Sequence, residues 1–167
     1  NTAVTYTVNG LAADTTYTFR IKAYAISGES EIYSDYVRIA GKTRIANVAS
    51  FKGSAVSASA VKLDWSKNDK ATGYVIEQYK GGKWTQILRT SGNGTVSYNA
   101  DGLAAGSVYT FRIRAYRNEG SSVVYSDYTR LAAGTAVTNV ATFAKKSATS
   151  SSLTLQWSKN ASASGYI

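Results

Sequence analysis

Short runs in which apolar and polar residues alternate make up most of the chain. In the stretch Tyr109 to Tyr116, the residues Tyr109, Phe111, Ile113 and Ala115 alternate with Thr110, Arg112, Arg114 and Tyr116. A period of two is the signature of a half-buried strand. Val61, Leu63 and Trp65 alternate in the same way with Lys62 and Asp64. Between such runs stand Gly81-Gly82, Gly92-Asn93-Gly94 and Glu119-Gly120-Ser121-Ser122, residues that turn a chain. Short strands at this spacing predict an all-β sandwich.

The pattern is written more than once. The stretch NGLAADTTYTFRIKAY, from Asn9 to Tyr24, returns as DGLAAGSVYTFRIRAY from Asp101 to Tyr116, at an offset of 92 residues. The same offset carries Tyr6 onto Tyr98, Tyr33 onto Tyr125, Phe51 onto Phe143, Trp65 onto Trp157 and Gly73 onto Gly165, without a gap. Solenoid repeats run to roughly 20–50 residues, so a period this long means one domain per repeat. In this frame residues 46–137 form a complete domain, 1–45 supply the last strands of another, and 138–167 supply the first strands of a third.

The order of anchors gives the repeat a family likeness. Trp65, then Gly73-Tyr74 opening a strand, Trp84, Tyr98 leading into Gly102-Leu103, and Tyr109 opening the next strand closely resemble a fibronectin type III module. The resemblance implies a seven-stranded Greek-key sandwich, with strands A, B, C, C′, E, F and G at residues 47–54, 60–66, 73–80, 83–89, 95–100, 107–116 and 125–133. The flanking segments would then hold strands E, F and G (1–45) and strands A, B and the start of C (138–167). The family's tyrosine corner falls on Tyr17 and Tyr109, with Leu11 and Leu103 plugging the end of the core, and the core tryptophans are Trp65 and Trp157. Proline, frequent near strand A and in the linkers of this family, is absent; the pair Lys145-Lys146 is placed to blunt that edge.

Composition narrows the chemistry. The chain has no His and no Cys, which excludes Ser-His-Asp and Cys-His nucleophiles, thiolate or imidazole zinc sites and disulfides. Of the ten acidic residues, only Asp35 and Asp127 occupy equivalent places in two copies, so nothing reads as a paired catalytic carboxylate constellation, and the chain is expected to be no enzyme and to need no cofactor or metal. No apolar run approaches the roughly 18 residues of a membrane span. The first residue is not Met, and with partial domains at both ends the chain is expected to be a piece of something longer. The net charge of +9 divides into +1 over residues 1–45, +5 over 46–137 and +3 over 138–167. Such a surface attracts polyanions.

Aromatic residues outside the predicted core are the candidate ligand groups. Tyr79, Trp84 and Tyr116 are expected to point outward together, with Arg117 and Asn118 in the following loop. The favoured reading is that these rings cover the sheet and pack against arginine stems, and the alternative is a platform for sugar rings. Arg112 and Arg114 face outward near Glu77, as an ion-pair ladder would. The sequons Asn93-Gly-Thr and Asn160-Ala-Ser are short enough to occur by chance.

The sequence therefore predicts a noncatalytic spacer or interaction segment of a larger extracellular protein, in the Ala-, Ser- and Thr-rich style of modules attached to bacterial secreted and surface proteins. The alternative is a module that binds carbohydrate or an anionic cell-wall polymer. The expected partners are neighbouring modules and such a polymer, with neither nucleic acid nor membrane. A monomer is expected, with head-to-tail complementation of the partial modules as the other option.

Overall fold

The computed structural model describes residues 4–167; the first three residues of the 1–45 segment lie outside them. The described chain is all β. In its middle, β5 (Phe51–Ser57), β6 (Ala60–Trp65) and β9 (Ser97–Ala100) make a three-stranded sheet in the order β5-β6-β9. A five-stranded sheet contains β7 (Gly73–Lys80), β8 (Lys83–Arg89), β10 (Val108–Glu119), β11 (Ser122–Tyr125) and β12 (Thr129–Gly134), with β10 at its centre. All pairings are antiparallel, and the inward faces of the two sheets enclose the core.

That core is the alternation of the sequence made physical. Val61, Leu63 and Trp65 from one sheet meet Tyr74, Ile76, Phe111, Ile113 and Ala115 from the other, all buried. Full burial of side chains of this size contributes about 1.5–3 kcal/mol each. The Trp65 and Tyr74 rings meet edge to face at 5.6 Å, and the Asn68 N–H donates to the Tyr74 hydroxyl at 2.7 Å, closing the end of the core. Ile45 and Val48 are buried in the same core.

Eight strands, not seven, lie between Phe51 and Gly134. The stretch 125–133 is broken because Ser126, Asp127 and Tyr128 leave the ladder: the Ala115 N–H donates to Ser126 Oγ at 3.0 Å and the Asp127 N–H to Asn47 Oδ1 at 2.9 Å. Tyr125 consequently belongs to the β10–β11 hairpin, where it faces Tyr116, and β12 starts only at Thr129. The first strand of the three-stranded sheet, β5, also begins later than residue 47.

Each flanking segment lacks a strand that the frame predicts. Ahead of the middle unit are β1 (Thr16–Ile21) paired with β4 (Val37–Lys42), and the small hairpin of β2 (Tyr24–Ser27) with β3 (Ser30–Tyr33). Residues 5–8, equivalent to β9, are not strand, because the partner that β6 gives β9 has no counterpart beside them. After the middle unit, β13 (Phe143–Ala148) pairs with β14 (Leu153–Trp157), and the expected opening of a further strand at Gly165 is irregular. No second sheet faces either of these two-stranded sheets among the described residues. Trp157, predicted as core, is 46% exposed where Trp65 is 5% exposed. It nonetheless keeps the local geometry of its counterpart, meeting Tyr166 at 5.5 Å while the Asn160 N–H donates to the Tyr166 hydroxyl.

Candidate functional site

The outward face of the five-stranded sheet carries a row of stacked rings and guanidinium groups. The alternation along β10 sends Arg112 and Arg114 outward, and the break before β12 sends Tyr128 over them. Arg112 lies 4.3 Å from the centre of the Trp84 ring and 3.9 Å from that of Tyr128. Arg114 lies 4.7 Å from Tyr128 and 3.8 Å from Tyr125, and Arg89 lies 3.8 Å from Tyr116. Arg130 approaches the Trp84 ring at 5.6 Å. Four arginines thus alternate with aromatic rings across β8, β10 and β12, held by cation–π attraction. Glu77, opposite Arg112 in the ladder, is the carboxylate that pairs on this face. Burial pushes the Tyr128 hydroxyl above the usual phenol range.

Of the predicted ligand residues, the structure brings together only two. Tyr79 and Trp84 face each other across the β7–β8 hairpin, their rings 5.2 Å apart. Tyr116 is not on an exposed platform: it is 4% exposed, covered by Arg89, and its hydroxyl donates to the Thr90 carbonyl at 2.6 Å. Gly73 permits this, since a Cβ there would stand 2.9 Å from the Tyr116 ring and 2.5 Å from the Thr90 oxygen. Asn118 is exposed at the end of β10, where its backbone N–H donates to Thr72 Oγ1 at 3.0 Å.

Arg117 is committed elsewhere. Its Nη2 reaches Asp14 Oδ1 of the first segment at 2.6 Å and also pairs with Glu119. Lys42 completes the group, at 3.0 Å from Asp14 and 3.3 Å from Glu119. The hydrogen bonds from Arg117 and Lys42 hold the Asp14 carboxyl well below the usual carboxylate range, and those same two hold Glu119 down less strongly; both cations are correspondingly raised. Asp14 itself sits in the left-handed region at φ 54°, where the repeat has Gly106 at φ 59°. A further pair, Arg44 with Asp127 at 2.7 Å, crosses the same junction but is largely exposed.

The corner tyrosines act as acceptors. The Ala104 N–H donates to the Tyr109 hydroxyl at 2.7 Å, and the Ala12 N–H to that of Tyr17 at 2.9 Å. Leu103 packs against the core while its N–H donates to the Ser59 carbonyl, and Leu11 is half-buried. The Asn160 side chain is buried and donates to the Thr138 carbonyl, so that sequon's amide is engaged. Among the described residues no group of three or more acidic side chains converges as a metal site would.

The ion group at Asp14 was not found from sequence, whereas rings packed against arginine stems and Arg112 facing Glu77 were among its expectations. The row had a visible sign, the repeated spacing of Arg112, Arg114, Tyr125 and Tyr128 against Arg20, Lys22, Tyr33 and Tyr36. The ion group had none, because its residues are 103 apart in the chain and only Glu119 and Arg117 are near neighbours.

Comparison with known proteins gives the unit its family. The chain is 27% identical over 127 residues to Exoglucanase B of Cellulomonas fimi, covering 72% of this chain and 12% of that protein. It is 33% identical over 127 residues to Chitinase A1 of Niallia circulans, covering 68% and 17%. It is 28% identical over 124 residues to human Neogenin, covering 70% and 8%. The chain thus spans less than a fifth of the length of these relatives. Among solved structures, a two-domain fibronectin type III segment from chicken tenascin aligns at 19% identity with a TM-score of 0.48, covering 74% of this chain and 66% of that one. The Fibronectin type III domain matches residues 46–130, from ahead of β5 into the start of β12, and the chain belongs to that family.

Proposed function

We propose that the chain is a noncatalytic spacer within a tandem array of a larger extracellular protein, its units docked to one another through their own side chains. The observation that carries this reading is the bridge from Arg117 to Asp14, joined by Lys42 and Glu119. Residues at the end of β10, a position free to recognise a foreign partner, are spent on the neighbouring unit. The relatives named as an exoglucanase and a chitinase support a setting in bacterial polysaccharide-degrading proteins, and Neogenin supports the same use of the module outside them.

Small-angle scattering tests the spacer. The protein is expected to give an extended particle whose maximum dimension is set by the docked units, and the double variant Asp14→Gly, Lys42→Gly is expected to broaden that distribution. An unchanged profile would remove the bridge from the argument. The second reading, a sugar-binding platform on Tyr79 and Trp84, rests on their close, tilted ring pair and on the 48% exposure of Tyr79. Retention on insoluble cellulose or chitin that disappears in Trp84→Ala would favour it over the spacer. The expected result is no retention, because Arg112 already covers the Trp84 ring.

A further inference from the structure

We propose that the arginine–aromatic row is a docking stripe for a linear acidic polysaccharide, present in the middle unit and again, in reduced form, in the first segment. This goes beyond the spacer reading and is independent of the Asp14 bridge.

Cation–π contacts occupy ring faces of Trp84, Tyr116, Tyr125 and Tyr128. A neutral sugar or a nucleobase recognised by stacking needs such a face open. What remains available is the outer hydrogen-bonding edge of the guanidinium groups, the Arg114 Nε being buried beneath it. Among the described residues, Arg89, Arg114 and Arg130 have no carboxylate partner, and Arg114 and Arg130 donate no side-chain hydrogen bond to the protein. Stacking fixes the plane of each guanidinium without using up its donors, which is the preorganisation that carboxylate recognition requires. With one paired carboxylate, Glu77, against four arginines, the face is strongly cationic.

The second observation is the repetition. In the first segment Arg20 lies 4.2 Å from the Tyr36 ring, and Lys22 lies 3.2 Å from that of Tyr33 and 5.3 Å from that of Tyr36. At the offset of 92 residues these are the counterparts of Arg112, Tyr128, Arg114 and Tyr125, and Arg38 is the counterpart of Arg130. The neighbouring turn is not kept: Ser27-Gly28-Glu29-Ser30 stands where the middle unit has Glu119-Gly120-Ser121-Ser122. A cationic row repeated at a fixed interval suits a polymer that reaches from one unit to the next, since the second contact then forms at high effective concentration. A uronate chain offers one planar carboxylate per sugar and matches the guanidinium edges along the row.

Isothermal titration with polygalacturonate, fully methyl-esterified pectin and a poly(dT) of equal charge number tests the stripe. Polygalacturonate is expected to bind, the esterified polymer not to, and poly(dT) to bind more weakly; binding should vanish at about 1 M NaCl, where screening acts over only a few ångström. The double variant R89Q/R130Q removes two exposed guanidinium groups at the ends of the row and is expected to weaken polygalacturonate binding by about tenfold. The variant K145Q/K146Q removes the same charge from β13 and is expected to change it by less than about twofold. Thermal midpoints keep a folding defect apart from a binding one, and Arg130→Lys, which keeps charge but not the planar edge, supplies a second, milder variant expected to lose part of the affinity. Equal weakening in the two double variants, tighter binding of poly(dT), or equal binding of the esterified polymer would each overturn the proposal.

Discussion

Two tyrosine hydroxyls in the middle unit are used in opposite ways. Tyr109 accepts from the Ala104 N–H at an exposed turn, so removing it hands a donor back to water. Tyr116 donates to the Thr90 carbonyl under the cover of Arg89, so removing it strands a buried acceptor. Tyr116→Phe is therefore expected to cost about 1–3 kcal/mol and Tyr109→Phe about 0.5–1.5 kcal/mol. Urea midpoints check the order, and a larger shift for Tyr109→Phe would contradict the assignment. The difference also marks what the sequence can say about a residue. The Tyr109 partner is five residues away, inside a turn whose Gly102 at φ 72° is visible in the alternation and spacing. The Tyr116 partner is 26 residues away, and strict alternation puts its ring in solvent. Its burial comes from a long side chain folding over it and from the bare backbone of Gly73, neither of which a period of two records.

At the scale of strands, the same words have different neighbours. Tyr-Thr-Phe-Arg-Ile is written in both β1 and β10, but β1 pairs with β4 alone, whereas β10 pairs with β7, β11 and β12. Phe111 and Ile113 are wholly buried, while Ile21 is 73% exposed. Amide exchange is expected to be slower at Phe111 and Ile113 than at Phe19 and Ile21 by on the order of a hundredfold or more, because opening free energy follows buried contacts. Equal protection, read by mass spectrometry on matched peptides, would mean that the face of β1 and β4 is covered in solution. Strand type and inward face were legible because periodicity is local. The break between β11 and β12 was not, because it depends on Ser126 and Asp127 bonding to Ala115 and Asn47, and Asn47 lies 80 residues from Asp127. Nor was the missing strand at residues 5–8, whose sequence matches that of β9 but whose ladder partner is a property of the assembled sheet.

Across the whole molecule, the repeat is faithful in its cores and unfaithful at its junctions. Asp14, Lys42 and Arg44, which reach the middle unit, correspond at the next junction to Gly106, Gly134 and Ala136. There the contact is made by backbone proximity: a Cβ on Gly106 would come within 2.8 Å of the Ser162 Cβ. One junction is thus held by charge and the other by close approach, and the two should respond differently to solution conditions. The pH response follows from the direction of each shift. Asp14 and Glu119 are depressed, so their contribution is complete above the ordinary carboxylate value near 4 and is lost as pH falls through their folded values. Lys42 is raised, so its contribution is complete below the ordinary lysine value near 10.4 and is lost as pH rises through its folded value. Between about pH 5 and 10 the first junction is accordingly indifferent to pH, and salt is the lever, since at about 1 M the Debye length falls to roughly 3 Å. The absence of native cysteine makes paired spin labels straightforward to install. Labels on Thr18→Cys and Thr85→Cys report the first junction, and labels on Thr85→Cys and Thr154→Cys the second. Raising salt is expected to broaden the first distance distribution and leave the second unchanged, and Asp14→Gly should reproduce the broadening at low salt. Gly106→Asp should instead disturb only the second. Equal salt responses at both junctions would show that the ion group does not hold the units together.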